Sequence, residues 1–438
     1  HVLSVAKEMN IEPRLGVRVR LASMGKGNWQ NSGGEKGKFG LTTRQLIQFL
    51  DQLEEQGKMH WLELLHFHMG SQLSDIADIR RGVREAGQFL KSMTERGARL
   101  KVFDVGGGLG VDYEGLHSRH EHSINYNLSE YAEAVVRALN EVCVRSGLPA
   151  MEIFTEAGRA MTAHHAVLIA DVVDMERSRV DTEAEPLFND LLDAAEKLGA
   201  KQALAEAEVW LQQIYDRFCE QEIGLEERAK WEAAFKAFCA QLEARFGGDE
   251  VVFDIEQRLA DKVFLNFSLF QSIPDAWALE QIFPVLPLSR LDERPTRQAV
   301  FEDLTCDSDG RIGTFAHSGN IHATLPLPAF ASIDEAPLMG IFLVGAYQEI
   351  LGDIHNLFGD TSSVNVRNTD DGFELVEEEA GDTVKELLGF VHLDADHLLR
   401  RCRRKMASRE LGESDKRMVL GALSSVLSGY SYFTHEQD

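Results

Sequence analysis

The sequence predicts an α/β plus β fold: parallel βα units, an inserted helical bundle, a β domain and a helical extension. Three observations predict it. Strand, loop and helix recur about every 40 residues over positions 1–175, the rhythm of parallel βα units in either a barrel or an open sheet. From 176 to 249 the chain turns helical, acidic and nearly glycine-free. From 250 to 382 short apolar runs alternate with turns, as in a sandwich or small barrel, and from 383 to 438 the pattern is helical again.

Taken in order, VLSVAKEMNIE reads as a helix leading into GVRVRL, whose apolar and polar residues alternate as in a strand. The loop ASMGKGNWQNSGGEKGKFG follows, with six glycines and little to bury; loops of this length inside a compact domain are usually functional. Thr42 or Thr43 can cap the next helix, with Leu46, Ile47, Leu50 and Leu53 on one face. Then come the strand WLELLHFHMG, a helix from Ile76 to Arg96, the strand KVFDV, a helix from Leu128 to Arg145 and the strand MEIFTEAGR. In the insertion Leu187, Leu191, Ala195 and Leu198 share one face, and Trp231, Phe235, Phe238 and Leu242 another; such faces serve core or subunit contact. The short runs KVFLNFSLF, QIFPVLPLSRL, RQAVFEDLTCDSDG, MGIFLVGAY and GFELVEEEA are the expected strands of the β domain.

Composition narrows the function classes. A chain of 438 residues with 44% hydrophobic residues can bury a core large enough for two or three domains. No apolar run approaches the roughly 18 to 20 residues of a membrane span, and no signal-peptide pattern is present, which predicts a cytoplasmic protein. The five cysteines show no CxxC spacing, so neither a disulfide framework nor a zinc site is indicated. A net charge of −26 argues against nucleic acid and suits a cationic small molecule. The chain opens on His1, inside what reads as a helix, which predicts that it is the C-terminal part of a longer protein.

The stretch KVFDVGGGLGVDY carries the first chemical signal. Its strand runs into Gly106, Gly107 and Gly108, a loop whose bare N–H groups can converge on anionic oxygens, although a plain glycine turn reads the same way. In βα architectures chemistry gathers at the C-terminal strand ends. His68 and Ser71, the three glycines, and Glu156 with Arg159 all fall there. Each has a bland reading too: His68 and His66 as core histidines, Glu156 as a solvated acid, Arg159 as a surface ion pair and Cys306 as an inert thiol.

Together HFHMGSQ, DVGGGLGVDY, TEAGR, TCDSDG and GAYQEILGDIHNLFGD resemble the pyridoxal-phosphate decarboxylases of basic amino acids, built on an alanine-racemase-like barrel plus a β domain. The similarity runs along nearly the whole chain and is greatest to the biosynthetic arginine-decarboxylating branch. It implies that residues 1–175 are the C-terminal half of a cofactor-binding βα barrel, and that the activity is conversion of L-arginine to agmatine on the way to putrescine and spermidine. Gly106, Gly107, Gly108, Ser71, Arg159 and Tyr347 would hold the cofactor phosphate, Glu156 its ring nitrogen, and His68 its face. Cys306 and Asp307 would cross a homodimer interface, the thiol returning a proton to Cα and the carboxylate holding the substrate's cation. Asp275 is a weaker candidate for that cation, Asp309 a turn builder, and His66 the bland neighbour.

In the family a lysine on the first barrel strand carries the cofactor. Lys26, Lys36, Lys38 and Lys101 do not stand in that motif, so these residues by themselves are expected to be inactive. Magnesium is implied only by the resemblance, since no ligand spacing supports it. A dimer or dimer of dimers is expected. The same scaffold also serves lysine, ornithine and diaminopimelate; a non-catalytic homologue or an unrelated phosphate-binding barrel are the rivals from other classes.

Overall fold

The computed structural model describes residues 1–23, 37–246, 250–409 and 412–434. Helix α1 (Val2–Met9) precedes strand β1 (Leu15–Arg18). Three βα repeats follow: α2 (Thr43–Glu55) and β2 (Leu62–His66), α3 (Ile76–Glu95) and β3 (Val102–Asp104), α4 (Leu128–Ser146) and β4 (Glu152–Phe154). The strands form one parallel sheet in the order β1-β2-β3-β4. Helix starts follow local chemistry. The Thr42 hydroxyl and Gln45 form a capping box, as do Asn127 and Glu130, satisfying N–H groups the first turn cannot pair. Leu46, Leu50 and Leu53 face the sheet, but Ile47, expected on that face, lies 49% exposed.

After the short helix α5 (Gly158–Thr162) come strands β5 (Val167–Ala170) and β6 (Val172–Glu176). The sequence grouped both with the βα units. The structure instead pairs β6 with β7 (Asp261–Leu265), and a bundle of α6 (Asn189–Leu198), α7 (Ala200–Cys219), α8 (Leu225–Phe246) and α9 (Glu250–Leu259) fills the connection between them. The inserted bundle thus runs to Leu259 rather than 249. Its centre is Phe188, ringed by Trp210, Trp231, Phe235 and Phe238 at centroid distances of 5.5 to 5.9 Å. Leu198 stays exposed.

The chain continues through α10 (Leu269–Ser272), α11 (Pro274–Ala278), β8 (Val285–Pro287), β9 (Arg297–Glu302), β10 (Arg311–Ile312), the hairpin β11 (Phe315–His317) and β12 (Asn320–His322), β13 (Leu325–Leu327) and β14 (Met339–Phe342). One sheet runs β10-β9-β7-β6 with β13 on β9, and a second runs β5-β14-β8. Their buried residues, among them Val263, Leu265, Phe301, Met339 and Ile341, form one core. The run KVFLNFSLF is strand only through Leu265, because Ser268 caps α10. GFELVEEEA lies outside this core: β16 (Gly372–Glu379) pairs only with β15 (Ser363–Thr369) in an exposed ribbon. Helices α12 (Val384–Phe390), α13 (Ala395–Ala407) and α14 (Glu413–Ser428) end the fold. Among the described residues no helix is long and apolar enough to cross a membrane.

Candidate active site

Parallel register aligns Arg18, His66, Asp104 and Phe154 across the C-terminal edge of the sheet. The loops that leave this edge meet one another, as the ends of parallel strands favour. The Leu73 N–H donates to the Gly108 carbonyl (2.9 Å), while the Gln72 amide gives a hydrogen bond to the Val111 carbonyl (2.6 Å) and takes one from the Val111 N–H (2.9 Å). Packing this close explains the glycines. A Cβ on Gly106 would stand 2.3 Å from the Phe67 carbonyl oxygen, on Gly107 2.7 Å from that of Glu156, and on Gly108 2.4 Å from that of Gly70. Gly106 and Gly108 also adopt φ of 65° and 108°.

The loop's donors are partly engaged. The Gly106 N–H donates to Asp104 Oδ1 (2.9 Å) and the Gly107 N–H to His68 Nδ1 (3.2 Å). Among the described residues no protein acceptor takes the Gly108 N–H.

Beside this loop Arg159, only 4% exposed, donates from Nε to Ser71 Oγ (3.2 Å) and from a terminal nitrogen to Tyr113 Oη (2.9 Å). The ring of Tyr347 covers the guanidinium at 4.8 Å, its backbone held at φ 72°. Burial pushes the Tyr113 hydroxyl above its ordinary pKa against the pull of Arg159, so it remains a neutral donor and acceptor. A buried arginine with a fork of donors, a hydroxyl and an aromatic lid forms a nest suited to an anion with several oxygens.

A second group lies against Gly106 and Gly107. Glu156 Oε2 stands 3.2 Å from His66 Nε2 as an ion-pair contact without hydrogen-bond alignment, with its carboxylate 60% exposed at the rim. His68 is held below the ordinary imidazole pKa, chiefly by burial and then by Arg18 and His66, although Glu156 and Asp104 oppose this. His66, read from sequence as the bland neighbour, is therefore part of the site. His66, Asp104 and Glu156 bring ligand atoms within 4.8 Å of one another. One imidazole with two carboxylates, one of them occupied by the Gly106 N–H, does not match the all-oxygen shell that magnesium prefers.

The remaining expected residues take no part in the bonds from Arg159 to Ser71 and Tyr113, although Asp275 lies close enough for its charge to act on Tyr113. Asp275 is 5% exposed and exchanges hydrogen bonds with Gln348: its N–H donates to Oε1 (3.1 Å) and its Oδ2 accepts from Nε2 (2.8 Å). Cys306 and Asp307 sit on an exposed loop and have no hydrogen bond or ion pair with the arginine nest among the described residues. Asp309 accepts from the Trp277 indole (3.2 Å). Lys101 is bonded to Glu63 just before β3, at the far end of the strand, and Lys38 lies over Phe39. Lys26 and Lys36 lie outside the described residues. The sequence reading missed Tyr113, Arg18 and Gln348. Tyr113 closes the glycine motif and Arg18 ends an alternating strand, so position alone could have flagged both.

Residues 1–163 match the pyridoxal binding domain of the pyridoxal-dependent decarboxylases, and 384–433 match the arginine decarboxylase C-terminal helical extension. The fold and this pyridoxal binding domain define the class, that of the pyridoxal-dependent decarboxylases. The chain is 47% identical to the biosynthetic arginine decarboxylase of Alkalilimnicola ehrlichii over 98% of its own length and 71% of that protein's. Against the Shewanella loihica enzyme the figures are 44%, 98% and 70%. The crystal structure of the Campylobacter jejuni biosynthetic arginine decarboxylase superposes with a TM-score of 0.77 at 31% identity, over 99% of this chain and 71% of that one. Helicobacter pylori diaminopimelate decarboxylase, at 15% identity and a TM-score of 0.54 over 89% of this chain and 69% of that one, shares the fold alone. This chain belongs to the biosynthetic arginine decarboxylase family.

Proposed function

We propose that the full-length enzyme bearing these residues decarboxylates L-arginine to agmatine and CO₂ with pyridoxal phosphate as cofactor, in the branch of metabolism that leads to putrescine and spermidine. The observation that carries this reading is the buried Arg159, tied to Ser71 and Tyr113 beneath the Tyr347 ring and next to the glycine loop. When bound, pyridoxal phosphate supplies the sink for the electron pair freed as CO₂ leaves. Arg159, the hydroxyls of Ser71 and Tyr347 and the Gly108 N–H hold its phosphate. The Glu156 carboxylate keeps a proton on the ring nitrogen, and His66 steadies that carboxylate. His68, neutral because its pKa is lowered, offers an uncharged face for the ring to rest on.

Cys306 and Asp307 act in the neighbouring protomer of a homodimer. The bond from Cα to the carboxyl carbon breaks, and the Cys306 thiol returns a proton to Cα. Asp307 accepts paired hydrogen bonds from the guanidinium. Asp275, buried against Gln348, supports the Tyr347 segment.

The test is turnover of arginine, lysine, ornithine and diaminopimelate by a full-length enzyme bearing these residues, following amine and CO₂. Preference for any substrate but arginine overturns the substrate assignment. An unchanged agmatine yield from Cys306→Ala removes the thiol from its role.

A further inference from the structure

The motif GDIHNLFGD contributes nothing to the nest, yet it grips the other half of the machinery. The loop from Asp303 to Gly310 is anchored at its base: Asp303 Oδ1 accepts from the Thr305 N–H and hydroxyl (both 2.8 Å), Oδ2 accepts from the Leu269 N–H (2.8 Å), and the Asp303 N–H donates to the Gly310 carbonyl (2.7 Å). These bonds close the loop but leave Cys306 exposed and Asp307 partly exposed at its tip. Two adjacent side chains contact the tip, where Asp307 Oδ1 also accepts the Asp309 N–H at 3.1 Å. Asn356 Oδ1 accepts the Cys306 N–H at 2.8 Å, and His355 Nε2 stands 3.6 Å from Asp307 Oδ2.

Neither holder is free to drift. His355 stacks on Phe270 at 4.5 Å, and Phe270, 3% exposed, meets Trp277 edge-on at 5.4 Å. Asn356 and Leu357 both adopt left-handed backbone, with φ of 55° and 60°. Two successive non-glycine residues in that region persist only where their surroundings over-determine them, and such strain gathers at ligand clamps.

We propose that His355 and Asn356 are positioning residues for the decarboxylation: Asn356 sets where the Cys306 thiol sits, and His355 sets the rotamer of the Asp307 carboxylate. The inference rests on the roles given above to Cys306 and Asp307. Asn356 therefore governs the proton-return step and His355 governs substrate binding.

Two substitutions at 356 separate positioning from fold. Asn356→Gly relieves the left-handed strain but removes the acceptor, whereas Asn356→Asp keeps an acceptor of the same reach. In the full-length holoenzyme Asn356→Gly should lower kcat by roughly 10-fold or more with little change in KM, because a misplacement near 1 Å can cost about 100-fold. Asn356→Asp should recover most of that loss. His355→Leu should raise the KM for arginine by roughly 5- to 10-fold, and His355→Gln, which still reaches Asp307, should restore it.

A readout that needs no turnover is alkylation of Cys306 by iodoacetamide at fixed cofactor occupancy and without substrate, followed by peptide mass spectrometry with the exposed Cys219 as internal reference. Asn356→Gly should change the Cys306 rate and leave Cys219 unchanged. Unaltered alkylation and kcat in Asn356→Gly, or an unaltered KM in His355→Leu, overturns the proposal. Altered alkylation alongside full activity of Cys306→Ala would leave the tether standing and overturn the role assigned to the thiol.

Discussion

Arg159 is the residue on which the proposed phosphate site turns. Its guanidinium is buried, splits its donors between Ser71 and Tyr113, and lies under an aromatic ring. Arg159→Met removes the charge and leaves the Tyr113 hydroxyl without that partner. A charge-assisted hydrogen bond to an anion is worth about 2 to 3 kcal/mol, so the Kd for pyridoxal phosphate should rise roughly 100-fold, measured by cofactor absorbance or fluorescence titration. Arg159→Lys should fall between, because an ammonium cannot fork to both hydroxyls. Residues of this kind were legible in the sequence where a motif carried them: HFHMGSQ gave His68 and Ser71, and TEAGR gave Glu156 and Arg159. Asn356 was not, since an asparagine gains its meaning here from a partner 50 residues away.

At the level of elements, the glycine loop serves the junction of three βα units before it serves any ligand. Its missing side chains face the Phe67, Gly70 and Glu156 carbonyls, so each glycine allows two neighbouring loops to touch. Gly108→Ala meets both a backbone oxygen at 2.4 Å and a φ of 108°. It should cost about 2 to 4 kcal/mol of stability by chemical denaturation and abolish cofactor binding. Gly115→Ala is the control: its φ is 66° but nothing lies within 4 Å, so only the left-handed penalty of about 1 to 2 kcal/mol applies. Helix positions were legible because caps and apolar periods are local. The partners of β5 and β6 were not, because two short apolar runs look alike whichever sheet receives them.

For the molecule as a whole, one buried group should contribute to the loss of stability in acid. His122 is pushed down to about 4, first by burial, then by His120 and Arg159, against the pull of Asp275. Above the ordinary imidazole value both folded and unfolded chains hold it neutral. As the pH falls below about 6.5 the unfolded chain takes up its proton first, so stability declines until the folded form also protonates near pH 4. With allowance for solvent screening the loss is about 2 kcal/mol. Urea unfolding at pH 6.5, 5.5 and 4.5 should show that slope, and His122→Gln should flatten it. The three hydrophobic cores beneath the βα sheet, the β sheets and the helical bundle are separate clusters, which is why composition could place the bundle while leaving its exact end to the packing of α9 on α8.

The sequence by itself determined where the long helices lie and start, and which motifs bear an acid, an arginine or a bare backbone, since these depend on spacing and on neighbours a few residues away. Only the tertiary structure decided that Ser71 meets Arg159, that His66 leans on Glu156, and that the motif after Tyr347 grips the Cys306 loop. Contacts between distant segments arise from how packed elements exclude water and align their ends, and no local pattern encodes that.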